Sequence, residues 1–339
     1  MTATTQSALL DDVQLTASRI FGLIAPELQL VEEEFERQAQ SNIQVIAYIG
    51  EYLRRSGGKR VRPALTILSN YAVGGDGSNQ SSIRMATVME FLHTATLVHD
   101  DVIDKAEMRR NRPSINSEFG NQTAVLMGDW LYMSAFETSL AERSLPILDI
   151  LTAVTRKMTE GELLQLTLLG RTDITEEQYL DVIARKTAYL FSACCEIGAL
   201  LGGADSETQA RLREYGMNLG TAFQLVDDLL DFTGSEQSLG KPAGADLVEG
   251  KVSLPLIFML QRHPELRGDI QTVIADQSYA ATPRQRLLDA LEQTGALAQA
   301  KSRAVEYAEA AVTALKGLNH SPHAQALTSI PAYIVERDR

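Results

Sequence analysis

Two aspartate clusters carry the chemistry this chain could perform. Asp100, Asp101 and Asp104 form one Asp-Asp-x-x-Asp run, and Asp227, Asp228 and Asp231 form another. Both are set in apolar stretches. Helical positions four apart share a face, so Asp100 aligns with Asp104 and Asp227 with Asp231. Carboxylates at the edge of an apolar interior are costly unless positive charge neutralises them. Hard divalent cations prefer oxygen ligands, and magnesium binds through one or two carboxylates together with substrate phosphates. The duplication predicts a cage for a metal–diphosphate complex.

The elements that must position these clusters read as helices, and strand-like alternation is scarce. Helices are expected near 17–39, 41–55, 63–73, 81–104, 121–141, 146–169, 175–202, 206–233, 251–262 and 283–317. Breaks are expected at Gly57-Gly58, Gly74 to Gly77, Asn111 to Pro113, Gly202 to Asp205 and Ser235 to Gly250. Each cluster falls near the C-terminal end of its helix and is followed by a polar loop. If the two helices run parallel, both clusters meet at one mouth of a helical bundle, a common place for a metal site. No Pro/Gly/Ser-rich linker divides the 339 residues, so a single all-α domain over 1–339 is expected.

The formal charge of −13 argues against nonspecific nucleic-acid binding. Cys194 and Cys195 are the only cysteines and are adjacent, so no disulfide framework is implied; they read as buried apolar residues in a reducing cytoplasm. The first residues carry no signal or transit pattern, and no stretch is long and apolar enough to span a bilayer. An integral membrane protein is not expected.

Basic residues lie at fixed offsets from the acidic ones. Gly57-Gly58-Lys59-Arg60-Val61-Arg62-Pro63 joins a permissive turn to a helix start, where Lys59 and Arg62 would meet an anion at the helix N-terminus. Arg109 and Arg110 follow Asp104, and guanidinium forks suit phosphate oxygens. His93 lies seven residues before Asp100. Further on come Lys186 and Thr187, Gln224, Lys241 and Lys251.

With FLHTATLVHDDVIDKAEMRRNRPS and GTAFQLVDDLLDFTGSEQSLGKPAGADLVEGKVSLPLI as their settings, these motifs resemble the trans isoprenyl diphosphate synthases, in particular the long-chain polyprenyl diphosphate synthases. The motifs run from about Tyr52 to Leu256. The resemblance implies the type I isoprenoid synthase fold, a helical bundle around a deep central cavity. It implies three magnesium ions, two held by Asp100 and Asp104 and a third by Asp227, with Asp101 orienting ions or their waters. The second cluster as a whole, Asp228 and Asp231 included, belongs to the implied catalytic set. Arg109 is assigned to the allylic diphosphate and Arg110 to isopentenyl diphosphate. Lys59, Arg62 and His93 form the isopentenyl diphosphate site. Lys186, Lys241 and Lys251 would hold the leaving diphosphate, while Thr187 and Gln224 would steer the cation and the proton loss. Asp246 would anchor its loop, and the polar segment 234–250 would act as a lid. His99 keeps a structural reading. One departure is Asn111, where the family usually has Gly; asparagine tolerates positive φ better than most residues.

The implied reaction ionises an allylic diphosphate (geranyl, farnesyl or geranylgeranyl) and joins the cation to isopentenyl diphosphate. The pocket must exclude water from that cation. Ala95 and Thr96 are small, so a tunnel before Asp100 should be open at their level. Its floor is expected deeper, at Leu92 with Met127, Leu131 or Met133. A cavity of that kind predicts an all-trans product of about C30 to C50, a quinone side-chain precursor in character. A homodimer is expected through the 121–169 region, where Leu126, Leu131, Phe136 and Leu140 offer apolar faces. Three rivals fit less well. A terpene cyclase would lack the GGKRVRP motif, and a non-catalytic partner subunit would have lost aspartates or arginines. A di-iron bundle needs Glu-x-x-His motifs that the sequence does not contain.

Overall fold

The computed structural model describes residues 15–55, 58–109, 112–234 and 243–337, and at 53–55 the backbone alone. Among the described residues its secondary structure is helical, α-helix apart from a π turn at Ala184–Ala188 and a 3-10 turn at Pro264–Leu266, with one short hairpin in which Met108–Arg109 (β1) pairs antiparallel with Arg112–Pro113 (β2). The helices are α1 (Ala17–Gly22), α2 (Ala25–Gln38), α3 (Gln44–Arg55), α4 (Val61–Ala72), α5 (Gln80–Ile103), α6 (Ile115–Phe119), α7 (Asn121–Leu140), α8 (Leu145–Leu168), α9 (Glu176–Ile183), α10 (Tyr189–Leu201) and α11 (Ser206–Thr233). Then follow α12 (Ala245–Val248), α13 (Leu254–Arg262), α14 (Arg267–Asp276), α15 (Arg284–Gln293), α16 (Ala296–Ala314) and α17 (Pro322–Glu336).

The two helices that carry the aspartates are built as central elements. Asn79 starts α5 by accepting from the Ser82 N–H at 2.8 Å, and Asp205 starts α11 the same way from Thr208 at 2.8 Å. Helix α5 is buried on nearly every side over its first five turns, as a helix crossing the middle of a core must be. It packs on α2, α4 and α7, while α11 lies between α10 and α16. One continuous apolar core reaches from Ile20 to Ile334, and both central helices contribute to it.

The predicted helices are present, with local corrections. The expected 17–39 helix breaks at Leu23-Ile24, before Pro26 opens α2. The expected 283–317 helix breaks at Thr294-Gly295 into α15 and α16. Within 175–202, Ala184–Ala188 forms a π-helical turn joining α9 to α10. Helices α6, α12, α14 and α17 lie outside the expected helices, α12 within the expected 235–250 break; α17 holds Pro331 in its interior and packs on α4, α11 and α16. Among the described residues no helix is long and apolar enough to cross a membrane.

Candidate active site

Both clusters open on one cavity of about 1210 Å³. It is bounded by the start of α4, the second half of α5, α7, α8, α9 with its π turn, α11, the 246–253 segment and Arg337. Asp100, Asp104, Asp227 and Asp228 line it. Lys59, Arg62, His93, Arg109, Lys186, Thr187, Gln224 and Lys251 line it as well. Residues from six separate stretches of chain are thus gathered around one space. Arg110, Asn111, Lys241 and the 235–242 part of the segment expected as a lid lie outside the described residues.

The six aspartates divide into different tasks. Asp101 is 3% exposed and does not face the cavity. It accepts from Arg109 Nε at 2.7 Å and lies 2.6 Å from Nη2, so it fixes the arginine that the cavity presents. Asp231 is 1% exposed and also off the cavity wall. Its backbone carbonyl accepts from Gly244 N–H at 2.8 Å and its carboxylate from Asp246 N–H at 3.4 Å. Asp231 thus ties down the start of α12, while Asp246 borders the cavity and its backbone carbonyl accepts from Lys251 N–H at 2.8 Å.

Asp104 caps the end of α5 and pairs with Lys251 at 2.9 Å; Lys251 also reaches Glu249 at 2.7 Å. Burial works against the Lys251 charge, but Asp104 and Glu249 outweigh it and raise its pKa. Asp227 pairs with Arg337. Burial pushes Asp100 up to about 7, against the opposing pull of the Lys186 ammonium; Glu162 and Asp104 add to the rise. Positive charge placed beside such a carboxyl favours its ionised form.

Asp228 organises a buried polar row. It is raised to about 7 by burial, with Asp246 adding to the rise and hydrogen bonds from Tyr179 and Gln224 opposing it. The Tyr179 hydroxyl donates to it at 2.6 Å and the Gln224 amide at 2.8 Å. Thr187 in turn donates to Gln224 at 2.8 Å. Asp228 thereby orients the Thr187 and Gln224 side chains that face the cavity. Lys186 and Thr187 sit in the π turn, an irregularity that recurs at functional sites.

Two glycines permit the close approaches behind this wall. A Cβ on Gly128 would stand 2.2 Å from His99 Nε2, so only glycine lets α7 press against α5 beside Asp100. A Cβ on Gly161 would meet the Arg185 Cβ at 2.7 Å and Lys186 N at 3.0 Å. Its absence brings α8 onto the π turn, where Glu162 pairs with Lys186 at 2.6 Å. His99 sits 3.1 Å from the Val125 carbonyl and 3.3 Å from Asp129, and it also borders the cavity.

The start of α4 is pinned by Arg60, whose backbone is left-handed at φ 48°. Its guanidinium donates to Glu90 at 2.6 Å and to Glu32 at 3.1 Å, holding α4 to α5 and α2. Lys59 and Arg62 reach the cavity from either side of this clamp.

Of the chain-length positions, Thr96 lines the cavity, whereas Leu92 and Ala95 are fully buried in the packing around α5 and do not border it. Met127 and Leu131 of α7 are buried as well. Met133 is 62% exposed on the outer side of α7 and so is no floor within this chain. Leu131 likewise faces the core rather than an outer surface. Sequence reasoning missed Glu162, Tyr179 and Arg337. Glu162 stands in the acidic run Glu160-Gly161-Glu162, which could have drawn attention; Tyr179 and Arg337 carry no local signal.

Magnesium fits this donor set. Among the described residues, no three or more His, Cys, Asp or Glu side chains are close enough to hold a metal by themselves. A magnesium site needs only one or two carboxylates when a diphosphate supplies the other oxygens. The cavity-facing Asp104 and Asp227 already hold cationic side chains, and Asp100 has a partly suppressed charge.

An all-helical bundle with paired Asp-Asp-x-x-Asp helices and cationic side chains around one cavity is the architecture of a prenyltransferase. A family model for polyprenyl synthetase matches residues 43–291, and the chain belongs to that family. It is 39% identical to octaprenyl diphosphate synthase of Escherichia coli (strain K12), across 96% of this chain and all of that one. Its fold matches a polyprenyl synthase from Caulobacter crescentus CB15, solved with calcium and isoprenyl diphosphate, at a TM-score of 0.91 and 34% identity, covering 97% of this chain and 100% of that one. It also matches a decaprenyl diphosphate synthase from Rhodobacter capsulatus at a TM-score of 0.89 and 34% identity, covering 96% and 100%.

Proposed function

We propose that the chain is an all-trans polyprenyl diphosphate synthase that adds isopentenyl diphosphate units to an allylic starter, giving a long product of about C30 to C50 for quinone side chains. The observation that carries this reading is the meeting of both aspartate clusters with Lys59, Arg62, His93, Arg109, Lys186 and Lys251 around one cavity. The length class is supported by the E. coli and R. capsulatus relatives, which carry octaprenyl and decaprenyl names. Thr96 is small where it borders the cavity, in line with that class.

Asp100 and Asp104 would hold two magnesium ions and Asp227 a third. Bound there, magnesium supplies Lewis-acid neutralisation of the diphosphate charge. Arg109, held by Asp101, presents its fork to the allylic diphosphate, with Arg110 beside it in sequence. Lys186 and Lys251 add charge where the leaving diphosphate gathers it, and Lys241 joins them; preorganised donors of this kind favour the ionising C–O bond. Lys59, Arg62 and His93 bind isopentenyl diphosphate, whose double bond attacks the allylic cation. Thr187 and Gln224, set by Asp228, border the cation, and the proton leaves to the departing diphosphate. Leu92 and Ala95 lie deeper than the cavity, so a growing chain reaches them only if α5 and α7 part there.

A homodimer is part of the proposal. Leu126 (68% exposed), Val125, Met133 and Leu140 of α7 and Leu145 at the start of α8 are exposed apolar side chains of the kind that pair subunits. A cytoplasmic site of action is supported by the two buried, unbridged thiols.

The test is product chromatography with magnesium, labelled isopentenyl diphosphate and geranyl, farnesyl or geranylgeranyl diphosphate. A discrete long prenyl product that Asp100→Ala abolishes is expected. A ceiling at C15 or C20 would overturn the length class and keep the chemistry. No incorporation from any starter would overturn the synthase reading.

A further inference from the structure

Arg337, one residue past the end of α17, borders the cavity, although α17 itself packs on α4, α11 and α16. The side chain is 8% exposed. It pairs with Asp227, donates to the Phe223 carbonyl at 3.1 Å, and lies 4.1 Å over the Phe223 ring. Phe223 meets Phe191 at 5.2 Å, and Arg62 lies 5.0 Å over Phe191. Two guanidinium groups thus bracket an aromatic pair, one at the second aspartate cluster and one at the start of α4.

A buried guanidinium needs acceptors for its donors, and this one is not fully supplied. Its Nε is buried without a hydrogen-bond partner. The cost of that orphan is borne because Asp227 supplies opposite charge. Asp227 is 40% exposed, so its carboxylate remains open to the cavity while the arginine holds it. A divalent cation at Asp227 and the Arg337 guanidinium would compete for the same carboxylate.

We infer that Arg337 is the resident cation of the second aspartate cluster: it holds Asp227 before substrate arrives and gives it up when a metal–diphosphate complex loads. This rests on the reading of Asp227 as a metal ligand. The end of α17 is then part of the binding cycle. On loading, the guanidinium leaves the carboxylate, and the last turn of α17 loses its tether to Asp227 while the aromatic seat on Phe223 remains available.

Titration calorimetry of the full chain with magnesium and inorganic diphosphate tests this, comparing the wild type with Arg337→Gln and Arg337→Lys. Loss of a partly exposed ion pair predicts that Arg337→Gln binds the complex about three- to fivefold more tightly, with Arg337→Lys in between. Hydrogen exchange on the wild type should show amides near 333–337 losing protection on loading. Folded Arg337→Gln with unchanged or weaker binding, and no change in exchange, overturns the inference while wild-type binding leaves the metal reading intact. A wild type that binds no magnesium with diphosphate sinks the metal reading, and this inference with it.

Discussion

Arg109 donates from Nε to one oxygen of Asp101 at 2.7 Å, and its Nη2 stands 2.6 Å from the same oxygen. The middle aspartate of the first cluster thus serves an arginine, whereas its neighbours Asp100 and Asp104 face the cavity. Asp101→Asn should raise the KM for the allylic diphosphate more than it lowers kcat. A charged hydrogen bond of about 1.5–3 kcal/mol corresponds to a ten- to hundredfold effect. Steady-state kinetics should show Asp104→Asn behaving differently, with the loss mainly in kcat. Equal KM and kcat effects in the two variants would count against this division.

Tyr179→Phe removes the 2.6 Å hydrogen bond to buried Asp228. Thermal or denaturant unfolding should report a loss of about 1–3 kcal/mol, the cost of an unmet buried acceptor. Activity should fall as well, because Gln224 and Thr187 depend on Asp228 for their orientation. Full activity with reduced stability would confine Tyr179 to packing.

Gly128→Ala puts a methyl group where His99 Nε2 stands 2.2 Å away. Overpacking costs about 1–3 kcal/mol. The displaced segment of α5 carries Asp100, so kcat should drop along with the melting temperature. A wild-type kcat would mean that His99 alone moves aside.

Asp100 and Asp228 predict an unusual pH profile for the metal-free protein. Each carboxyl keeps its proton in the folded chain up to about 7, whereas an unfolded Asp releases it near 4. Between those values the unfolded chain binds fewer protons, so stability falls as pH rises. The melting temperature without metal should decline from pH 5 to pH 7.5, and Asp100→Asn should flatten part of that slope. A rising profile that Asp100→Asn leaves unaltered would contradict it.

Cys194 and Cys195 are both 0% exposed, and burial pushes the Cys194 thiol up to about 12. The Cys195 thiol is raised by burial too. A thiolate-selective reagent should label neither at pH 8 in the folded protein and both after denaturation. Rapid labelling of the native chain would show that α10 opens locally.

Legibility in the sequence followed locality. The aspartate clusters, Lys186-Thr187 and the Lys59–Arg62 turn each declare themselves within a few residues, and all reach the cavity except Asp101 and Asp231. Those two were read by position in a motif, but a helix alternates its faces, and the middle and last aspartates turned toward Arg109 and the 244–246 backbone. Glu162, Tyr179 and Arg337 act through partners 24, 49 and 110 residues away, distances at which no local pattern exists. Helix α17 escaped notice because Pro331 lies within it; tight packing against α4, α11 and α16 overrides what a proline costs there.

The π turn at Ala184–Ala188 has a consequence for how this wall can change. Each residue in an α-helix advances the chain by about 100°, so a wider turn works as a phase shifter between α9 and α10. Deleting Ala184 or Ala188 would remove the extra residue that the wider turn accommodates and change which of its side chains face α8 and α11. Lys186 and Thr187 could not then both face Glu162 and Gln224. The length of this segment is therefore as constrained as its side chains, and a single-codon deletion would silence the site while removing no group that touches substrate.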